Sequence, residues 1–287
     1  MARVDLSGRG CLVTGGSAGI GYACAAEALA AGARVVIAAR GAEALEAARA
    51  RLEDEYGAGR VYAVCADVGR ERDVVALVDA ATERLGRIDG LIHAAAVLGP
   101  IGRAVDVEPA AWWEAIRIDL FGTFLVAREV AKAMRGRGGR MVLLSGGGAT
   151  SAFPNYTAYA CAKVGVVRFA ESLAAELEAD GIAVNALAPG FVATRIHEAT
   201  LAAGEAAGAD YLRRTREELE AGGVPATLAA RAAVFLLSDR AGGITGKLVS
   251  APWDTWWEWP ARSEALAGGD LFTLRRIVPR DRGMEWQ

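Results

Sequence analysis

Near its start the chain carries the feature that most narrows its fold. The apolar run Gly10-Cys11-Leu12-Val13-Thr14 enters Gly15-Gly16-Ser17-Ala18-Gly19-Ile20-Gly21, and an alanine-rich helical stretch follows to about Ala31. Strand, glycine turn and helix in that order form the opening of a βαβ unit. Without side chains in the turn, a pyrophosphate can come against the backbone, and the helix N-terminus offers it free N–H groups. On its own the element is also compatible with an ordinary glycine turn.

The rest of the chain repeats the alternation. Apolar runs read as strands at 34–40, 60–68, 88–96, 140–144, 181–188 and 246–250. Helical patterns lie between them at 42–56, 71–85, 109–134, from Thr157 onward, and at 227–238. Strands alternating with helices predict an α/β fold, a doubly wound parallel sheet flanked by helices. At 287 residues and 53% hydrophobic, the chain is sized for one large domain with a two-sided core. Residues 191–223 are polar, alanine-rich and weakly periodic, which suits a helical lid over a substrate or a plain surface helix. There is no internal repeat, low-complexity segment or convincing linker.

Ligands of such sheets bind beyond the carboxyl ends of the strands, so those ends supply the candidate residues. The second strand ends in Ala39-Arg40. An acid there would accept from the ribose 2′-hydroxyl of NAD, whereas an arginine accommodates the 2′-phosphate of NADP. NADP is therefore favoured, with NAD the alternative, and a merely solvated Arg40 the plainest reading. Asp67, ending the third strand, could accept from an adenine amino group or cap the next helix. Ala94 and Ala95 would let the fourth strand lie close to a cofactor.

The fifth strand runs into Ser145-Gly146-Gly147-Gly148, a loop through Pro154, and a helix carrying Tyr159 and Lys163. Four residues apart, these two side chains share one helix face. A neighbouring ammonium favours the phenolate and lowers the phenol pKa, fitting it for proton transfer near neutrality. Ser145 stands at the end of the strand, where it could meet a substrate. Tyr-x-x-x-Lys alone recurs by chance, and its weight comes from the surrounding chain.

A net charge of −3 gives no general attraction to nucleic acid or anionic membranes. Cys11, Cys24, Cys65 and Cys161 show neither metal-ligand nor disulfide-framework spacing, so no metal site is expected, and buried free thiols are. The first ten residues lack the apolar core of a signal peptide, and no run reaches the roughly 18 apolar residues of a membrane span. A cytoplasmic protein acting on a small molecule is expected.

Taken together, Thr14 to Gly21, Asp67-Val68, Tyr159-x-x-x-Lys163, Asn185 and Pro189-Gly190 with Thr194 resemble the short-chain dehydrogenase/reductase family over roughly residues 6–249. The resemblance implies a single Rossmann-like domain (1–250) with about seven parallel strands, and a homo-oligomer, tetramer or dimer. It implies that Tyr159 is the general acid/base for an alcohol–ketone pair. Lys163 would lower the Tyr159 pKa and hold the nicotinamide ribose, and a loop serine would bond the substrate oxygen. Thr14, Gly15, Ser17, Gly19, Ile20 and Gly21 would line the phosphate turn, Asp67 and Val68 the adenine, and Pro189, Gly190, Val192 and Thr194 the nicotinamide side.

Three positions depart from the family pattern. Asn-Asn-Ala-Gly is replaced by His93-Ala94-Ala95-Ala96, with His93 either a substitute or a structural histidine. The asparagine of the long helix falls on Asp119, where a carboxylate could alter the proton relay. The serine column falls on Gly146, making Ser145 the first choice for that role and Ser151 and Thr150 the fallbacks. The segment 251–287 is an extension, with four of the seven tryptophans between Trp253 and Trp259, read as a substrate wall or as a tail packed on the core or on a partner subunit. The expected activity is NADP-preferring interconversion of a secondary alcohol and a ketone, with a sugar or polyol as the candidate substrate. Rival readings are a nucleotide-binding sensor or scaffold with little turnover, and an epimerase, lyase or dehydratase of the same fold.

Overall fold

The computed structural model describes residues 4–267 and 269–286. Seven strands, β1 (Gly10–Thr14), β2 (Arg34–Ala39), β3 (Val61–Cys65), β4 (Gly90–His93), β5 (Gly139–Leu144), β6 (Ile182–Ala188) and β7 (Leu248–Ser250), form one parallel sheet in the order β3-β2-β1-β4-β5-β6-β7. Strand order reverses between β1 and β4, and a cleft opens beyond the carboxyl ends there. The fold is the doubly wound α/β sheet that the alternation predicts.

Both faces are covered, as the unbroken apolar strands require. On one face α1 (Gly19–Ala30), α2 (Ala42–Tyr56) and α9 (Ala226–Leu237) bury Cys24, Leu29, Leu45, Leu52 and Phe235. On the other, α3 (Glu71–Leu85), α5 (Gly122–Met134) and α6 (Thr157–Glu176) bury Leu77, Leu125, Val130 and Val167. α4 (Pro109–Ile116) precedes α5, and α7 (Arg195–Ala203) and α8 (Ala209–Glu220) fall within 191–223. A further short helix, α10, spans Ser263–Ala267.

Several expectations are corrected. The helical pattern over 109–134 is not one α-helix: a π-helical turn, Arg117–Phe121, separates α4 from α5. Such insertions leave hydrophobic periodicity nearly intact, so the sequence does not reveal them. The run 60–68 pairs only through Cys65, and 88–96 only through His93, because the chain turns away at the sheet's carboxyl edge. Cys11 and Cys24 are buried, and burial pushes both thiols up to about 12. Cys65 and Cys161 are exposed, on the edge strand β3 and the outer side of α6.

The extension is bound to the sheet by several contacts. Ala251 N–H donates to Ala188 at 2.9 Å, and Phe272 takes the Leu248 N–H of β7 at 2.8 Å. Glu171 accepts the Leu274 N–H at 2.7 Å, and Arg168 donates to the Leu274 carbonyl. Trp256 and Trp259 belong to the core cluster of α1 and α9, with the Trp256 ring 5.2 Å from Phe235. Trp256→Ala is expected to cost about 3–5 kcal/mol of unfolding free energy, measured by chemical denaturation; a cost below about 1 kcal/mol would show that the tail contributes little to the core.

Candidate active site

The cleft has a volume of about 2650 Å³, and its wall includes Gly15, Ser17, Gly19, Ile20, Gly21, Arg40, Val68, Ala94 and Ala95. Ser145, Tyr159, Lys163, Pro189, Gly190, Val192 and Thr194 line the same space. Residues as far apart in the chain as Gly15 and Thr194 thus meet at the switch point of the sheet.

Its floor is a cradle that only glycine allows. Gly15 has φ +68°, and a Cβ there would lie 2.8 Å from the Ala94 carbonyl carbon and the Ala95 nitrogen. A Cβ on Gly21 would run into the Gly15 carbonyl, and one on Gly19 would stand 3.1 Å from the Thr194 methyl. Bare backbone and the open end of α1 leave room and N–H groups for a pyrophosphate. The residues present therefore fit a dinucleotide.

Two residues expected at this wall stand behind it. Thr14 is fully buried: its hydroxyl is 2.9 Å from His93 Nδ1 and accepts the Ala95 N–H at 3.3 Å, locking β1 to β4. Asp67 turns away from the cleft, accepting the Gly69 N–H at 2.9 Å and pairing with Arg117 and Arg70. It caps a turn and not α3, whose N-cap is Arg70. Arg40 is exposed at the rim, directly after β2.

Tyr159 and Lys163 are on the inner face of α6, with the Lys163 ammonium 5.4 Å from the Tyr159 ring centre. Lys163 is buried and donates to the Leu144 carbonyl at 3.2 Å. Burial lowers its pKa, opposed by Asp119, whose carboxylate is 3.8 Å away. The expected lowering of the Tyr159 pKa is not what the protein alone provides. Burial raises it, with smaller contributions from Asp119 and Tyr211 in the same direction.

Ser145 is 3% exposed, and its hydroxyl is turned toward the Lys163 carbonyl, 3.4 Å away. Gly146 is the residue that lies against the phenol: a Cβ there would collide with the Tyr159 oxygen. Thr150 and Ser151 are exposed on the cleft wall. Asn185 clamps β6 to the turn before β7, donating to Ile244 at 3.0 Å and accepting the Lys247 N–H at 3.1 Å.

A family model described as enoyl-(acyl carrier protein) reductase matches residues 15–251. The chain belongs to the short-chain dehydrogenase/reductase family. D-threitol dehydrogenase of Mycolicibacterium smegmatis is 36% identical over 245 residues, covering 84% of this chain and 90% of its own. Levodione reductase of Leifsonia aquatica is 36% identical over 188 residues, 65% of this chain and 70% of its own. The crystal structure of levodione reductase matches with a TM-score of 0.78 at 32% identity, covering 85% of this chain and 96% of that one. As a short-chain dehydrogenase/reductase, the protein is an enzyme of NAD(P)-dependent alcohol–ketone oxidoreduction.

Part of this short-chain dehydrogenase/reductase site was not visible in the sequence. Phe153, Tyr156 and Tyr211 pack as an aromatic cluster, with ring centres 4.4 to 5.1 Å apart. Phe191 stacks on His197 at 3.9 Å. Tyr211 and His197 lie in the weakly periodic 191–223, where neither spacing nor composition singles them out. Trp253 also lines the cleft, and is 83% exposed while Trp256 and Trp259 are buried. Trp256 and Trp259 thus pack on the core, while Trp253 borders the cleft.

His93 is 2% exposed, and burial lowers its pKa to about 3. It is held neutral, and the unfolded chain takes up its proton below the ordinary value of 6.5. Its contribution to stability is complete above pH 6.5 and is lost as pH falls from there toward 3. Unfolding free energies of the protein and His93→Asn should therefore converge by about 2 kcal/mol between pH 7 and pH 5. A constant gap would mean that the ring titrates alike in the folded and unfolded chain.

Proposed function

We propose that the protein interconverts a secondary alcohol and a ketone, with Tyr159 as the general acid/base and NADP as the favoured cofactor. The observation that carries this reading is the shared cleft: the Tyr159–Lys163 face of α6 opens onto the same space as the glycine cradle. Bound nicotinamide supplies or takes up the hydride at the substrate carbon. In reduction, the Tyr159 hydroxyl passes its proton to the carbonyl oxygen and is left as phenolate; in oxidation the phenolate takes the hydroxyl proton. Lys163, its ammonium 5.4 Å from the Tyr159 ring centre, would hold a ribose hydroxyl.

Gly15, Ser17, Gly19, Ile20 and Gly21 would hold the pyrophosphate, Val68, Ala94 and Ala95 would flank the dinucleotide, and Pro189, Gly190, Val192 and Thr194 would border the nicotinamide end. Arg40 pairs with the 2′-phosphate, supported by its exposed place after β2 and by Ala39 in front of it. With Ser145 turned to Lys163 and glycine at 146, polarisation of the substrate oxygen rests on Tyr159 alone. Residues 191–223 form the lid. Thr150, Ser151, Asn155 and Trp253 on the wall support a small polar, polyol-like substrate, as does the relative named for D-threitol. The exposed Trp113, Phe121 and Phe124 along α4 and α5 support a homo-oligomer.

Tyr159→Phe is expected to lower kcat for carbonyl reduction at least about 10²-fold with cofactor binding retained, read from nicotinamide absorbance across a panel of ketones and polyols; undiminished turnover refutes the role. Arg40→Ala should weaken NADPH binding about tenfold, an ion pair's worth of about 1.4 kcal/mol, and leave NADH binding unchanged in fluorescence titration. Tighter binding of NADH than NADPH by the unaltered protein would overturn the cofactor preference.

A further inference from the structure

Beneath the reacting phenol is a buried set of polar groups in which two positions depart from the family pattern. Asp119 is fully buried on the π-helical turn. Its Oδ1 accepts the Val97 N–H at 2.8 Å, and its main-chain carbonyl accepts the Thr123 hydroxyl at 2.5 Å. The remaining oxygen, Oδ2, has no hydrogen bond and lies 3.8 Å from Lys163 Nζ. The ammonium thus has a carboxylate oxygen at 3.8 Å and the Tyr159 ring centre at 5.4 Å.

We propose that Asp119 is a counter-charge to Lys163: it cancels the ammonium's field at Tyr159 and keeps the phenol protonated, poising the site for carbonyl reduction at neutral pH and alcohol oxidation at alkaline pH. This rests on Tyr159 being the acid/base group proposed above. An ammonium near a phenol favours the phenolate, and a carboxylate at similar range opposes it. Burial acts first and the Asp119 carboxylate acts in the same direction, so the phenol pKa rises above its ordinary value.

The groups around Tyr159 support the balance. From β4, His93 is buried and kept neutral by burial, so it adds no charge. From β5 come only the Leu144 carbonyl and the Ser145 hydroxyl. From α8, Tyr211 acts in the same direction as Asp119, raising the Tyr159 pKa. Arg40 exerts a weak pull on Asp119 from the rim. Burial raises the Asp119 carboxyl to about 6, against Lys163 and the Val97 N–H, so it is charged at pH 7 and above. Asparagine at this position would keep the Val97 bond and lose the charge.

Asp119 is accordingly a positioning residue acting through Lys163 and Tyr159, and its effect can be read without substrate or cofactor. Tyr159 ionisation is followed as the difference in phenolate absorbance between the protein and its Tyr159→Phe variant, in the unaltered and Asp119→Asn backgrounds. The Tyr159 midpoint should fall by about one pH unit or more in Asp119→Asn, with the far-ultraviolet circular dichroism unchanged. An unchanged or higher midpoint overturns the proposal. Should Asp119→Asn not fold, Lys163→Met leaves the carboxylate unopposed and should raise the midpoint; a fall overturns it equally. In steady state, the pH of half-maximal alcohol oxidation should move down with the midpoint in Asp119→Asn, and a fixed profile refutes the poise. Because the titration is independent of turnover, a protein inactive on every carbonyl tested but with the midpoint shifted would refute the proposed function and leave the counter-charge standing.

Discussion

The structure turns on a backbone-to-backbone approach. The glycine turn after β1 passes so close to the chain leaving β4 that a single methyl at Gly15 would lie 2.8 Å from the Ala94–Ala95 peptide. This contact lies where strand order reverses, so it defines the floor of the cleft and the direction in which α1 presents its free N–H groups. Thr14 and His93 hold the two strands together directly beneath it. His93 and Ala94 stand where the family pattern has two asparagines, and the Thr14 hydroxyl joins β1 to this stretch through His93 and the Ala95 N–H.

The same interior explains the second departure. A π-helical turn projects Asp119 inward between α4 and α5, and its carboxylate does two jobs at once. One oxygen secures the Val97 N–H, and so the loop bordering the cleft; the other stands by Lys163. A buried lysine without a counter-charge would pay a large desolvation penalty, and a buried aspartate without a cation equally so. Each charge stabilises the other, at the expense of the field that Lys163 would otherwise exert on Tyr159.

The C-terminal extension joins the two scales of the molecule. Pro252 packs 2.9 Å from where a Gly190 Cβ would be, so the tail begins against the turn bordering the cleft. It then buries Trp256 and Trp259 beside α9, and Phe272 returns to bond the outer edge of β7 and to border the cleft again. A sheet edge left open is a template for unwanted pairing; here one of its N–H groups is taken up internally.

The sequence by itself determined the α/β architecture, the glycine cradle and the Tyr159–Lys163 face, because each follows from local rules: strand and helix periodicities, the steric freedom of glycine, and four-residue spacing on a helix. It also identified Gly146 and Asp119 as departures. Tertiary structure alone decided what surrounds those departures. Thr14 and Asp67 lie behind the cleft wall because their side chains find partners in His93, Gly69 and Arg117, far away in the chain. Tyr211 and His197 reach the cleft from a stretch with no legible pattern. Above all, the sign of the Tyr159 shift was not readable from its neighbour four residues on, because burial and a carboxylate 40 residues earlier in the chain raise the phenol pKa, and both exist only once the chain is folded.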